Sequence, residues 1–169
     1  MPSLLNACRI SDAPDESWRF CCELIETISR RGAYLSLLDE YPIARKRVIR
    51  ILAASPWAAR FLIRHPILLD ELLDSRTLMA TPDYEAWGVQ LREALAQAQL
   101  PDGQPDLERQ MDLVREQHHA QLFRVLAQDL EGQLKVEQIS DLLSALADKT
   151  LEVVLESAWK QVPKRHVEQ

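Results

Sequence analysis

His118 and His119 are the side chains whose type most directly suggests metal binding, because neutral imidazole is a common zinc ligand. They are adjacent within a helical pattern, and neighbouring residues of a helix point about 100° apart. Neither has a histidine or a carboxylate four residues away, where a second ligand on the same helix face would lie. We therefore interpret His118 as part of an apolar stripe and His119 as solvated.

A second candidate is the acidic group Asp70, Glu71 and Asp74, in which Asp70 and Asp74 share one helix face. A divalent cation needs more oxygen ligands than these carboxylates supply, so we interpret the group as a solvated helix face. The glycines are too widely separated to form a phosphate-binding loop. The sequence thus predicts no catalytic, cofactor-binding or metal-binding residue.

The best binding candidate is a basic patch on one predicted helix. Residues 30–64 contain eight basic and two acidic side chains in a chain whose net charge is −6. Arg30 and Arg31 precede the patch itself, and its members are Arg45, Lys46, Arg47 and Arg50. Guanidinium groups suit carboxylates and phosphates. We expect the patch to face an acidic surface of a partner or a neighbouring domain, although a basic surface without function is the simpler alternative.

The composition restricts the class of protein. The 169 residues suit one domain, and 47% of them are hydrophobic, which is enough for a core. The negative net charge argues against nucleic-acid binding, and no apolar run is long enough to cross a membrane. The three cysteines form no CxxC pair and have no local base that would activate them. We therefore expect reduced thiols and a cytoplasmic protein.

The patterning along the chain is helical throughout, and it predicts an all-α fold without a sheet. Residues 1–13 are expected to form a flexible arm and residues 163–169 a tail, with a single helical domain over 14–162. Within that domain, 14–99 contains short helices, several of which begin at proline. Ser55 should cap the helix headed by Pro56, Pro66 should open the next, and Thr81-Pro82 another.

Two longer helices are predicted at 106–131 and 136–162, each about 40 Å long at about 1.5 Å per residue. The short connection between them, with Gly132 ending the first helix, makes them an antiparallel pair. Gly88 weakens its own helix, and close packing on a neighbour would explain its presence. The tryptophans lie on or beside apolar stripes, so all four are predicted to be in the core: Trp18, Trp57, Trp87 and Trp159.

Several segments together resemble a known family. RGAYLSLLDEYP at 31–42, LAASPWAA at 52–59 and RHPILLDELLD at 64–74 come first, followed by ERQMDLVR at 108–115, LFRVLAQDL at 122–130 and ISDLLSALA at 139–147. In this order they resemble the bifunctional glutamine synthetase adenylyltransferase/adenylyl-removing enzymes. The resemblance covers roughly residues 30–160.

The resemblance implies a helical segment between two nucleotidyltransferase domains, leading into the second. The parent enzyme would use ATP and Mg²⁺ to add AMP to a tyrosine of glutamine synthetase, and would also remove it, under control of glutamine and the PII signal protein. The family's catalytic motif, a Gly-Ser pair followed by spaced aspartates, is not found in this sequence. No catalytic or metal residue can therefore be assigned by resemblance.

Two hypotheses follow. The chain is a linker or regulatory helical domain that couples the two nucleotidyltransferase domains and is not catalytic by itself, with those domains, glutamine synthetase and PII as its partners. The alternative is a free-standing helical adaptor for protein–protein interaction.

Overall fold

The computed structural model describes residues 14–29 and 32–161. They form α1 (Pro14–Ile28), α2 (Gly32–Glu40), α3 (Pro42–Ala54), α4 (Pro56–Arg64), α5 (Leu68–Leu73), α6 (Ser75–Met79), α7 (Tyr84–Gln97), α8 (Leu107–Leu130) and α9 (Val136–Gln161). This part of the chain contains no strand, and Gln99 and Pro105 form an isolated antiparallel bridge. The all-α prediction is confirmed.

Several predictions lie outside the described residues. They concern the arm at 1–13, Arg30, Arg31 and the tail at 163–169.

The described residues divide into two compact units. Unit 1 contains 14–29, 32–80 and 126–135, and unit 2 contains 81–125 and 136–161. Helix α8 therefore contributes residues to both units. The single domain expected over 14–162 stays a prediction.

In unit 1, proline and serine set the helix starts. Pro56 opens α4, where its missing N–H costs nothing. The Ser55 hydroxyl oxygen accepts a hydrogen bond from the Ala58 N–H at 3.4 Å, as predicted. The prediction that Pro66 opens the next helix is wrong by two residues, because Pro66 lies in a turn closed by the Leu68 N–H on the His65 carbonyl. Helix α5 begins after that turn, at Leu68.

The unit 1 core forms where α1, α3, α4 and α5 meet. Its fully buried side chains include Phe20, Leu24, Ile28, Ile51, Leu52, Leu62, Leu69 and Leu72. Apolar side chains recur at helical spacing along α1, at Trp18, Cys21, Cys22, Ile25 and Ile28. Trp18 and Cys22 are exposed, because the buried face is centred on Phe20, Leu24 and Ile28.

Unit 2 is built around α7. Its core cluster is Tyr84, Trp87, Leu91 and Leu95 of α7 with Leu146 and Val153 of α9. The helix expected to start at Thr81-Pro82 begins at Tyr84, because the Asp83 carboxylate caps it by accepting the Ala86 N–H at 2.9 Å.

Helices α8 and α9 form the predicted antiparallel pair. His118 Nδ1 lies 3.1 Å from the Thr150 hydroxyl, and the Gln161 amide donates to the Gln110 amide oxygen at 2.9 Å. Gly132 adopts φ 69°, the left-handed conformation expected after a helix end. Within unit 2, the main packing partner of α9 is α7.

The tryptophans do not share one environment. Trp87 is buried and Trp57 half-buried, but Trp18 is 42% exposed and Trp159 is 80% exposed. The prediction that all four are core residues is wrong for Trp18 and Trp159. In both cases helical spacing identified an apolar stripe, but no described side chain covers it.

None of the helices in the described ranges is long and apolar enough to span a membrane.

Candidate interaction site on helix α3

The four residues of the basic patch lie on α3, but the structure does not give them one shared surface. Arg47 is 7% exposed, Arg45 is half-buried, and Lys46 and Arg50 are exposed. The helix geometry explains this difference in exposure. Val48, Ile51 and Leu52 are buried on the core side of α3, and Arg47 lies on the same side.

Arg47 is held by contacts within unit 1. Its guanidinium donates to the Leu72 carbonyl at 2.8 Å and to the Ser75 hydroxyl at 3.0 Å. Its Nε also lies 3.2 Å from a carboxylate oxygen of Glu131, a side chain that is 17% exposed. Arg47 is thus a buried cation whose charge is balanced inside the protein.

The other two arginines make related contacts. Arg45 donates to the carbonyls of Leu38 and Asp39 at 3.3 and 3.2 Å, in the last turn of α2. Arg50 donates to the Leu130 carbonyl at 3.4 Å and pairs with Glu131 at 3.3 Å, where α8 ends.

Helix α3 therefore supplies an arginine to the C-terminal turn of three other helices: α2, α5 and α8. The last carbonyls of a helix have no partner inside it, and that end carries partial negative charge. Arginines placed there satisfy the carbonyls and the dipole together. The partner-binding role of the patch stays a prediction, and Lys46 and Arg50 are its most accessible members.

Both histidines of the pair are half-buried and line one groove, so the prediction that His119 is solvated is wrong. His118 is half-buried beside Thr150, and its pKa lies below the ordinary 6.5 because burial, and secondly the neighbouring His119, disfavour the charged form. Of the acidic trio, Asp70 and Asp74 are exposed and Glu71 is half-buried. Asp70 accepts a hydrogen bond from the Tyr34 hydroxyl at 3.3 Å. Among the described residues, no group of three or more histidine, cysteine or acidic side chains is placed to hold a metal ion.

Sequence analysis missed a charged network on unit 2. Lys149 donates to Glu85 at 2.8 Å and to Glu152 at 2.6 Å. Arg92 contacts Glu152 at 2.5 Å and Glu156 at 2.7 Å, and thereby links the two carboxylates. The spacing of Lys149, Glu152 and Glu156 along α9 could have been read from the sequence, but nothing local indicates that α7 supplies the other two residues.

These contacts shift the pKa of the acidic members. The hydrogen bond from Lys149, with a smaller one from Arg92, holds the pKa of Glu152 below its ordinary 4.5. The hydrogen bond from Arg92 lowers the pKa of Glu156 in the same way. The network therefore stabilises the packing of α7 on α9 in its charged form.

Comparison with known proteins gives one consistent result. Residues 45–169 match the family model described as glutamate-ammonia ligase adenylyltransferase. The chain is 51% identical over 98% of its length to the bifunctional glutamine synthetase adenylyltransferase/adenylyl-removing enzyme of Aromatoleum aromaticum. Proteins with the same description from Bordetella pertussis and Nitrosomonas europaea are 47% and 42% identical, over 98% and 99% of the chain. The chain spans only 17–18% of the length of these relatives.

Proposed function

The chain belongs to the glutamate-ammonia ligase adenylyltransferase family, and from that premise we propose that it is a helical linker or regulatory segment of such an enzyme. The longer enzyme transfers AMP to glutamine synthetase and removes it. The observation that carries the proposal is the identity over nearly the whole chain to proteins of which it spans less than a fifth.

In this proposal the segment is not catalytic by itself. ATP, Mg²⁺ and the reacting groups belong to nucleotidyltransferase domains elsewhere in the longer chain, in the cytoplasm. Support comes from the sequence, whose glycines at 32, 88, 103 and 132 are too far apart to form a phosphate-binding loop. The arginines of the basic patch also support it, since Arg45, Arg47 and Arg50 contact helix ends within unit 1.

The segment's role is to couple domains. Helices α8 and α9, of 24 and 26 residues, are continuous and are joined to each other by hydrogen bonds at two levels. A long helix transmits a displacement at one end to the other, and α8 has residues in both compact units. The pair thus provides a route by which glutamine or PII binding to the enzyme changes the balance between adenylylation and deadenylylation.

The first test concerns catalysis. Incubated with glutamine synthetase, ATP and Mg²⁺, the 169-residue chain should incorporate no AMP into glutamine synthetase, while the full-length enzyme does. AMP transfer by the short chain would refute the assignment as a linker.

The second test concerns coupling in the full-length enzyme. Ser144 is exposed in the middle of α9, and Ser144→Pro should interrupt that helix at a cost of about 3 kcal/mol. The variant should keep its unregulated adenylyl transfer but respond less to glutamine and PII, whereas Ser144→Ala should behave as the unmodified enzyme. Equal regulation of the proline and alanine variants would rule out coupling through α9.

The free-standing adaptor has no comparable support. If residues near α3 do contact an acidic partner, Lys46 and Arg50 are the members to test. Lys46→Glu should weaken binding of glutamine synthetase or of a regulator to the full-length enzyme without changing its stability.

A further inference from the structure

Helix α9 has two apolar faces, and the described residues cover only one of them. Leu146 and Val153 are buried against α7, at 0% and 1% exposure. On another side, Leu151, Leu155 and Trp159 follow one another at intervals of four residues and are 59%, 66% and 80% exposed. A helix that packs on one neighbour only is normally polar on its remaining faces. Three large apolar side chains in a row indicate a second packing surface.

This exposed stripe borders a groove between α8 and α9. Met111 and Val114 line the α8 side and Val154 and Ala158 the α9 side of a groove with a volume of about 490 Å³. Leu151 and Leu155 each lie three residues before a groove-lining residue, so the stripe and the α9 wall are adjacent on the helix surface. Groove and stripe together form one apolar surface in unit 2.

Polar contacts at two levels join the α8 and α9 walls of the groove. His118 meets Thr150 at 3.1 Å, and Gln161 donates to Gln110 at 2.9 Å. Burial, and secondly the neighbouring His119, lowers the pKa of His118, which favours its neutral form. A preformed apolar groove between two helices is the type of site that accepts the apolar face of a third helix.

We infer that this surface docks an amphipathic helix from another part of the same long polypeptide. The inference rests on the proposal that the chain is one segment of a longer enzyme. The matched relatives carry more than four-fifths of their length outside the part that resembles this chain, so covering polypeptide is available there. Gln161, the last residue of α9, itself lines the groove, so the described part of the chain ends at the rim of the groove. A tethered helix also has a high effective concentration at the groove.

Hydroxyl-radical footprinting of the full-length enzyme tests this inference, because the chain contains matched residues of the same type. Trp159 and Trp18 are 80% and 42% exposed here, so an open surface predicts that Trp159 is oxidised about twofold faster. A docked helix predicts the reverse order, with Trp159 oxidised more slowly than Trp18. Met111, which is 63% exposed, should likewise fall below the half-buried Met79. A Trp159 to Trp18 ratio near 2 in the full-length enzyme would overturn the inference.

A charged substitution provides the second arm. Leu155→Asp should disrupt docking and restore the ratio to about 2, the value given by the two exposures. Val89→Asp is the control, because Val89 is a comparably exposed apolar residue of α7, at 52%, that does not line the groove. Trp87, 6% exposed, should stay protected in both variants if the fold is intact. Equal effects of the two substitutions would overturn the inference.

Other occupants give different results. Protection of Trp159 that rises with enzyme concentration would identify a second copy as the occupant and overturn the intrachain assignment. Because oxidation is measured without turnover, its outcome is independent of the activity tests. Protected Trp159 in an enzyme without adenylyl transfer would refute the proposed function and leave the docking surface standing.

Discussion

At the scale of single residues, burial decides what each arginine of α3 can do. Arg47 and Lys46 are adjacent in the sequence, yet one is 7% exposed and the other lies in solvent. The guanidinium of Arg47 replaces its lost hydration with the Leu72 carbonyl, the Ser75 hydroxyl and the Glu131 carboxylate. Its charge therefore contributes to folding, while Lys46 remains available to a partner.

Replacing Arg47 should accordingly be costly. Arg47→Met leaves the Leu72 carbonyl without its donor and the largely buried Glu131 carboxylate with Arg50 as its remaining cation, and should lower the free energy of unfolding by about 3 kcal/mol. Lys46→Met removes the neighbouring charge from an exposed site and should change it by less than about 0.5 kcal/mol. Denaturant unfolding of both variants measures the difference. Similar small effects would mean that Arg47 is not a structural cation.

The charged network of unit 2 makes stability depend on pH. Glu152 and Glu156 have a pKa below 4.5 in the folded chain, so their stabilising contribution is complete above the unfolded value of 4.5. As the pH falls through that value, the unfolded carboxylates bind protons before the folded ones do, and stability is lost down to the folded pKa.

Arg92→Met should reduce this acid dependence, because the Arg92 hydrogen bond is the main cause of the Glu156 shift and a secondary cause of the Glu152 shift. Unfolding measured from pH 6 to pH 3, which is about the range of acid titration, should therefore have a smaller slope for the variant. Arg109→Met is the control, since Arg109 forms an exposed pair with Glu116 at 3.7 Å and should keep the original slope. An unchanged slope in Arg92→Met would contradict the role given to the network.

At the scale of elements, Gly88 shows how closely α7 and α9 pack. A Cβ at this position would lie 2.8 Å from Cδ and 3.1 Å from Cγ of Lys149. The Lys149 side chain cannot move aside freely, because its ammonium group is held by Glu85 and Glu152. The close packing predicted for Gly88 from the sequence is confirmed, and the neighbour that imposes it is a lysine.

A double-mutant cycle isolates this contact. Gly88→Ala should destabilise the unmodified chain, because the new methyl group displaces Lys149 from its two carboxylates. In a Lys149→Ala background the clash is absent, and the same substitution should stabilise by about 1 kcal/mol through helix propensity. Chemical denaturation of the four proteins measures the change of sign. If alanine stabilised both backgrounds equally, Lys149 would not be what requires glycine.

Helix ends explain much of the organisation of unit 1. Arginines of α3 reach the last turns of α2, α5 and α8, and the buried amide of Gln128 donates to the Leu78 and Ala80 carbonyls at 2.6 and 3.1 Å near the end of α6. Short helices have a high proportion of unsatisfied terminal carbonyls. Buried donors from neighbouring helices meet this need, which favours one specific arrangement of the short helices.

At the scale of the whole molecule, the question is whether the two compact units unfold together. Helix α8 has residues 107–125 in unit 2 and 126–130 in unit 1. Because helix formation is cooperative along a continuous segment, unfolding one unit should disturb the helical residues of the other. If residues 14–162 form the single domain predicted from the sequence, the two units should therefore unfold together.

Native-state hydrogen exchange tests that prediction. Arg47→Met weakens unit 1, and in a single cooperative domain it should lower the opening free energy of the α7 amides in unit 2 by as much as that of the α3 amides in unit 1. Lys46→Met should change neither. Weakened protection confined to α3 would mean that the units unfold independently.

The sequence by itself determined where most of the helices lie, how several of them begin, and which family the chain resembles. Apolar periodicity, proline at helix starts and the Ser55 cap act over only a few residues, so they can be read without tertiary information. Two helices begin later than the sequence predicted, because a different local contact sets each start: the turn at Pro66 and the cap at Asp83. The antiparallel pairing of α8 and α9 followed from the short connection at Gly132.

Only the tertiary structure decided which of these side chains are accessible. Arg47 meets the Leu72 carbonyl 25 residues away, and Lys149 meets Glu85 across 64 residues. A local pattern contains no information about such partners. The same reason explains Trp159, which helical spacing places on an apolar stripe but whose burial depends on what packs against it. Arg45, Arg47 and Arg50 of the basic patch therefore contact helix ends. Trp159, which was predicted to be a core residue, is part of an exposed apolar surface.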